Sequence, residues 1–121
     1  MDLYAVELRT MDWRRLVAWY RGVLGLRVLV RVEDDRYALL AAGPARIAIV
    51  ETRREEMATV VVGPDRLIFE VDDFEAAVGR IERSTGQQAA VRREAEGFVQ
   101  CAATDPDGRS VRVIAWPPRL S

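Results

Sequence analysis

Residues 66–81 read RLIFEVDDFEAAVGRI, and this run has an earlier counterpart in the same chain. RLIFEV (66–71) is apolar and β-branched in the manner of a strand, while FEAAVGRIERS (74–84) carries apolar residues at helical spacing. Asp72 followed three residues later by Glu75 resembles a capping box, and Gly86 supplies the stop. Upstream, LYAVELR (3–9) alternates as a strand should, and WRRLVAWYRGVL (13–24) places Leu16, Val17, Tyr20 and Leu24 on one helical face. Asp12 is the N-cap candidate and Gly25 the C-terminal stop. Asp12 matches Asp73, Trp13 matches Phe74 and Gly25 matches Gly86 at one constant spacing. Ile47 matches Val111 at a slightly longer one.

Each helix is followed by three strand candidates. In the first half these are 26–33, 36–42 and 45–51, with Asp34-Asp35 and Gly43-Pro44 as turns; in the second they are 87–93, 97–103 and 110–116. The chain therefore reads as two copies of one β-α-β-β-β module, 3–51 and 66–116, within a single domain spanning 1–121. Residues 52–65 (TRREEMATVVVGPD) are the connector, charged at first, with Val60-Val61-Val62 as an added edge strand or a partner contact.

The fold class expected is α+β. One face of each small sheet packs on its own helix through Val6, Leu8, Ile47, Ile49, Leu67, Phe69, Val71, Val111 and Val113. The opposite faces then meet and enclose a cup, lined by the other strand parity. That parity carries Ala5, Glu7, Arg9, Arg46, Ala48, Val50, Arg66, Ile68, Glu70, Arg112, Ile114 and Trp116. The turn DPDG (105–108) leads into VRVIAW (111–116), where Arg112 interrupts an apolar strand and points into the cup.

Composition narrows the chemistry. A chain of 121 residues with 50% hydrophobic content buries a real core. A net charge of -1 gives no global basic field of the kind nucleic-acid binders use, so no nucleic-acid partner is expected. No apolar run approaches the roughly 20 residues that span a bilayer, so no membrane partner is expected either. Met1-Asp2-Leu3-Tyr4 has neither the basic nor the apolar region of a signal peptide, and the cytoplasm is the expected location. Cys101 is the single cysteine and sits in the apolar FVQCAA, where a buried structural thiol is expected. Histidine, lysine and asparagine are absent from the sequence. The commonest general base, the commonest metal-binding nitrogen and any Schiff-base lysine go with them.

WYRGVLGL (19–26), RLIFEVDDFEAAVGRI (66–81) and DPDGRSVRVI (105–114) together resemble the vicinal oxygen chelate superfamily, which holds glyoxalases, bleomycin-resistance proteins and ring-cleaving dioxygenases. The resemblance covers nearly the whole chain and implies the tandem-module cup and a homodimer. The fold itself hosts many reactions, and binding proteins as well. Metal enzymes of the family place His or Glu ligands on the first and last strands of each module. Matched motif to motif, those positions hold Ala5, Ala48, Arg66 and Arg112. Alanine has no donor atom and arginine stays protonated, so neither a metal nor another cofactor is expected.

Three readings follow from these residues. In the first, Arg9, Arg66 and Arg112 grip a small anionic or aromatic molecule, with Ile68, Ile114 and Trp116 as walls, for sequestration, sensing or resistance. In the second, Glu7 or Glu70 is the base of a metal-free isomerase or lyase, the arginines stabilising an enolate. In the third, the same charges pair internally, Arg9 or Arg112 with Glu70 and Arg66 with Glu7, in an interaction domain without ligand.

Overall fold

The structure, a computed structural model, describes residues 1–57 and 65–117. The elements are β1 (Val6–Thr10), α1 (Trp13–Gly22), β2 (Arg27–Val32), β3 (Tyr37–Ala42), β4 (Ala45–Glu51), α2 (Arg54–Met57), β5 (Leu67–Glu70), α3 (Phe74–Thr85), β6 (Val91–Arg93), β7 (Val99–Thr104) and β8 (Ser110–Ala115). This is the α+β fold of two β-α-β-β-β modules. The chain divides into two compact units, Met1–Gly63 and Pro64–Ser121. The edge strand expected at Val60-Val61-Val62 lies outside the described residues.

Each unit holds one four-stranded sheet, and the strand orders β1-β4-β3-β2 and β5-β8-β7-β6 are the same order repeated. β1 runs parallel to β4 with Val6 opposite Ile47, and β5 runs parallel to β8 with Leu67 opposite Val111. The helix between the first and last strand of each module supplies the crossover that a parallel pair needs. The remaining pairs are antiparallel.

Both long helices start on an aspartate. Asp12 accepts from the Arg15 amide at 3.3 Å, and Asp73 accepts from the Ala76 amide at 3.0 Å. The capping-box start on Asp72 is therefore corrected by one residue. An N-cap carboxylate reaches the amide two or three residues on, and only Asp73, next to Phe74, has that reach into the first turn. The repeat had already matched Asp73 to Asp12. Gly86 closes α3 with φ 70° and donates to the Glu82 carbonyl at 2.8 Å, a left-handed cap that glycine adopts without a Cβ penalty.

In the first unit α1 buries Trp13, Leu16, Val17 and Tyr20. The sheet offers Leu8, Ala38, Leu40, Ile47 and Ile49 on one parity, all buried. Val6 shares that parity but stays exposed, since it is the first rung of an edge strand. In the second unit Ala77 and Ile81 of α3 are buried, as are Cys101, Val111 and Val113 on one parity of β7 and β8. Leu67, Phe69 and Val71 are only half-buried.

Strand ends differ from expectation where side chains take over backbone partners. β1 begins at Val6 rather than Leu3, because the Tyr4 carbonyl accepts from Arg46 Nε at 2.9 Å. β6 is confined to Val91–Arg93: upstream, the Ala89 amide donates to the Glu82 carboxylate at 2.8 Å and the Gln87 amide to the Thr85 hydroxyl at 3.1 Å. β2 carries a register shift between Val28 and Val30, so simple alternation along 26–33 fails there.

The turn into β8 is built on a buried carboxylate. Asp105 Oδ1 accepts from the Asp107 and Arg109 amides at 2.9 and 3.0 Å, and Oδ2 faces Arg109 Nη1 at 3.2 Å. Gly108, at φ 87°, lets the chain reverse. This turn fixes where β8 starts, and so which side chains of VRVIA share a face.

Candidate functional site

β8 alternates. Val111, Val113 and Ala115 are buried on the side of α3, which leaves Arg112 and Ile114 for the opposite face. Arg112 is flanked by Ile68 of β5 and Ala102 of β7 in the strand register, and Ile114 by Glu70 and Gln100. The face thus joins residues from three strands. Ile68 is 60% exposed.

Arg112 does not pair with Glu70, as one sequence reading expected. Its Nη1 donates to the side-chain carbonyl of Gln100, and the Gln100 amide nitrogen donates to the Glu94 carboxylate. Arg92 Nε stands 3.6 Å from the same carboxylate. Gln100 is 8% exposed, and its orientation is dictated chemically, since a guanidinium offers only donors and an ionised carboxylate only acceptors. Glutamine is the side chain that satisfies both at once. Arg112 Nε is shielded from solvent and has no hydrogen-bond partner among the described residues.

At the end of the same face Trp116 is half-exposed and meets Phe98 edge to face, with ring centroids 5.0 Å apart and planes at 63°. That geometry is one aromatic pairs favour, and it leaves much of the Trp116 ring uncovered. Gln100, Glu94 and Phe98 were not singled out from sequence. The signal was available, because placing Cys101 in the core sends its neighbour Gln100 to the face of Arg112.

The remaining candidates are spread along the chain. In the first unit, Arg9 Nε donates to Glu7 at 3.2 Å, and both side chains are about half exposed. In the second unit, Arg66 is exposed and precedes β5, while Glu70 is exposed on β5. Cys101 is fully buried, and burial, reinforced by the negative Glu82, pushes its thiol upward and keeps it protonated. Among the described residues, no three His, Cys, Asp or Glu side chains gather where they could hold a metal ion. The positions matched to metal ligands carry Ala5, Ala48, Arg66 and Arg112, a set with no electron-pair donor for a cation. These residues do not fit the family's metal. No helix among the described residues is long and apolar enough to cross a membrane.

A doubled β-α-β-β-β chain with this sheet order defines a fold, and the fold alone does not fix a reaction. The pattern of the glyoxalase/bleomycin resistance protein/dioxygenase superfamily matches residues 3–113. The chain belongs to that superfamily. A protein of unknown function from Agrobacterium tumefaciens str. C58 is 24% identical with a TM-score of 0.75, covering 97% of this chain and 95% of that one. The lactoylglutathione lyase of Agrobacterium tumefaciens is 20% identical with a TM-score of 0.67, covering 94% and 92%. TioX from Micromonospora sp. ML1 is 21% identical with a TM-score of 0.71, covering 99% and 100%. At these identities the likeness is one of fold. No curated protein matches the chain.

Proposed function

We propose that this chain is a metal-independent member of the superfamily that binds a small anionic or aromatic molecule, for sequestration, sensing or resistance. One observation carries the reading: a position matched to a metal ligand holds Arg112, whose guanidinium is fixed by Gln100 and keeps an unpartnered, shielded Nε. A fixed positive charge with free donors suits an anion and opposes a divalent cation. Ile68, Ile114 and the open ring of Trp116 supply apolar contact for the rest of such a molecule. The same reading assigns Arg66 as a further anion contact, with the protein acting in the cytoplasm as a homodimer.

Native mass spectrometry of the gently purified protein tests it. A stoichiometric organic mass, lost in Arg112→Ala while the dimer persists, is the expected result. A bound mass that Arg112→Ala retains in full would place the site elsewhere.

A further inference from the structure

We infer that the anion is a planar carboxylate held on the Nε–Nη2 edge of Arg112, and that Gln100 and Glu94 are positioning residues that present that edge. This rests on the anion-binding reading above and adds the ligand class and two residues to it.

A guanidinium has two edges able to take a carboxylate in a paired fashion, one formed by Nη1 with Nη2 and one by Nη2 with Nε. Gln100 takes one of the two N–H groups of Nη1 and so competes for the first. The second carries no hydrogen bond among the described residues, and its Nε is already out of water. A donor left shielded and unpaired costs free energy until an acceptor arrives, so the desolvation of this edge precedes binding. Glu94 holds Gln100 through its amide nitrogen, and this forces the Gln100 carbonyl toward Arg112. Arg92, beside the same Glu94 oxygen, balances that carboxylate, and Glu70 is another acidic neighbour on this face. Two coplanar oxygens match two coplanar N–H groups. A tetrahedral oxyanion brings a third oxygen out of that plane, beyond these two donors, on a face whose register neighbours include Ile68 and Ile114. Trp116, half-exposed and on the same strand parity, offers an aromatic ring to the rest of such a molecule.

The probes are benzoate and benzenesulfonate, which share ring and charge and differ in planarity of the anion, titrated calorimetrically into the full chain. Benzoate binds about tenfold more tightly, the cost of leaving one sulfonate oxygen without a donor. Gln100→Glu, which neutralises Arg112 and repels Glu94, abolishes the preference. Glu94→Ala lowers it and Glu94→Gln restores it, because a glutamine oxygen still accepts from Gln100; a purely structural role would not show that rescue. Equal binding of the two probes, both weakened by Arg112→Lys, leaves an anion site and overturns the carboxylate assignment. A preference unchanged by Gln100→Glu and Glu94→Ala overturns the positioning roles. Binding of neither probe, or binding indifferent to Arg112→Lys in a variant with the parent's circular dichroism, overturns the anion-binding reading together with this one.

Discussion

Gln100 accepts a hydrogen bond from Arg112 across the β7–β8 pairing and passes one on to Glu94, so a single amide joins a cation on one strand to an anion beyond the edge of β6. Replacing it with leucine keeps the bulk and leaves both charged groups without this partner. Gln100→Leu should lose about 1–3 kcal/mol, the cost of stranding shielded polar groups. Urea unfolding measures it, and a loss near zero would mean that water takes over both bonds.

Asp105 is 3% exposed and accepts from two backbone amides and from Arg109. Asp105→Ala removes all three bonds and should cost about 3 kcal/mol. Asp105→Asn keeps an oxygen for the amides and gives up the ion pair, so about 1 kcal/mol is expected. Thermal unfolding of the two variants should rank them in that order. Equal losses would show that the charge of Asp105, rather than its amide contacts, holds the turn.

The two helix caps give a sharp comparison. Asp12→Ala and Asp73→Ala should each cost about 1 kcal/mol, while Asp72→Ala, whose carboxylate caps nothing, should stay within about 0.5 kcal/mol of the parent. A larger loss at Asp72 than at Asp73 would return the helix start to the capping-box reading.

Glu33 is ringed by Arg31, Arg14 and Arg36 at 2.9, 3.2 and 3.7 Å. The hydrogen bond from Arg31 leads, with the charges of the three arginines adding to it, and together they hold the carboxyl below its ordinary value. A lowered folded value means the unfolded chain takes up the proton first. The contribution of Glu33 is therefore present above the unfolded carboxylate pKa of about 4.3 and is lost as pH falls through the lower folded value. Titration followed by carboxyl NMR should place Glu33 below the ordinary carboxylate value, and Arg31→Ala should move it back up. An unchanged midpoint in Arg31→Ala would remove Arg31 as the cause.

The doubled module could be read directly from the pairs Asp12 with Asp73 and Trp13 with Phe74, because N-cap chemistry and a first-turn aromatic leave local, repeating signals. The face carrying Arg112 was equally legible, since strand parity follows once Val111 and Val113 are placed in the core. Its partner was not. Charge complementarity alone favoured Glu70, the nearest carboxylate along β5, whereas the fold offers Arg112 a neutral amide on β7 that a carboxylate holds from behind. Which of two acceptors meets a guanidinium depends on side-chain reach across a register, and a single strand's sequence does not encode it. The shortness of β6 was hidden for a related reason, because Glu82 and Thr85 capture amides that the pattern of 87–93 assigns to a ladder.

With Ala5, Ala48, Arg66 and Arg112 at the positions of the family's metal ligands, the chain is proposed to work without a metal. Elemental analysis after dialysis against manganese, iron, cobalt, nickel and zinc salts, followed by removal of free ions, tests this most directly. Far less than one metal ion per chain is the predicted result. One tightly held divalent ion per chain, displaced by a chelator, would contradict it and would mean that donors other than these four residues assemble the site.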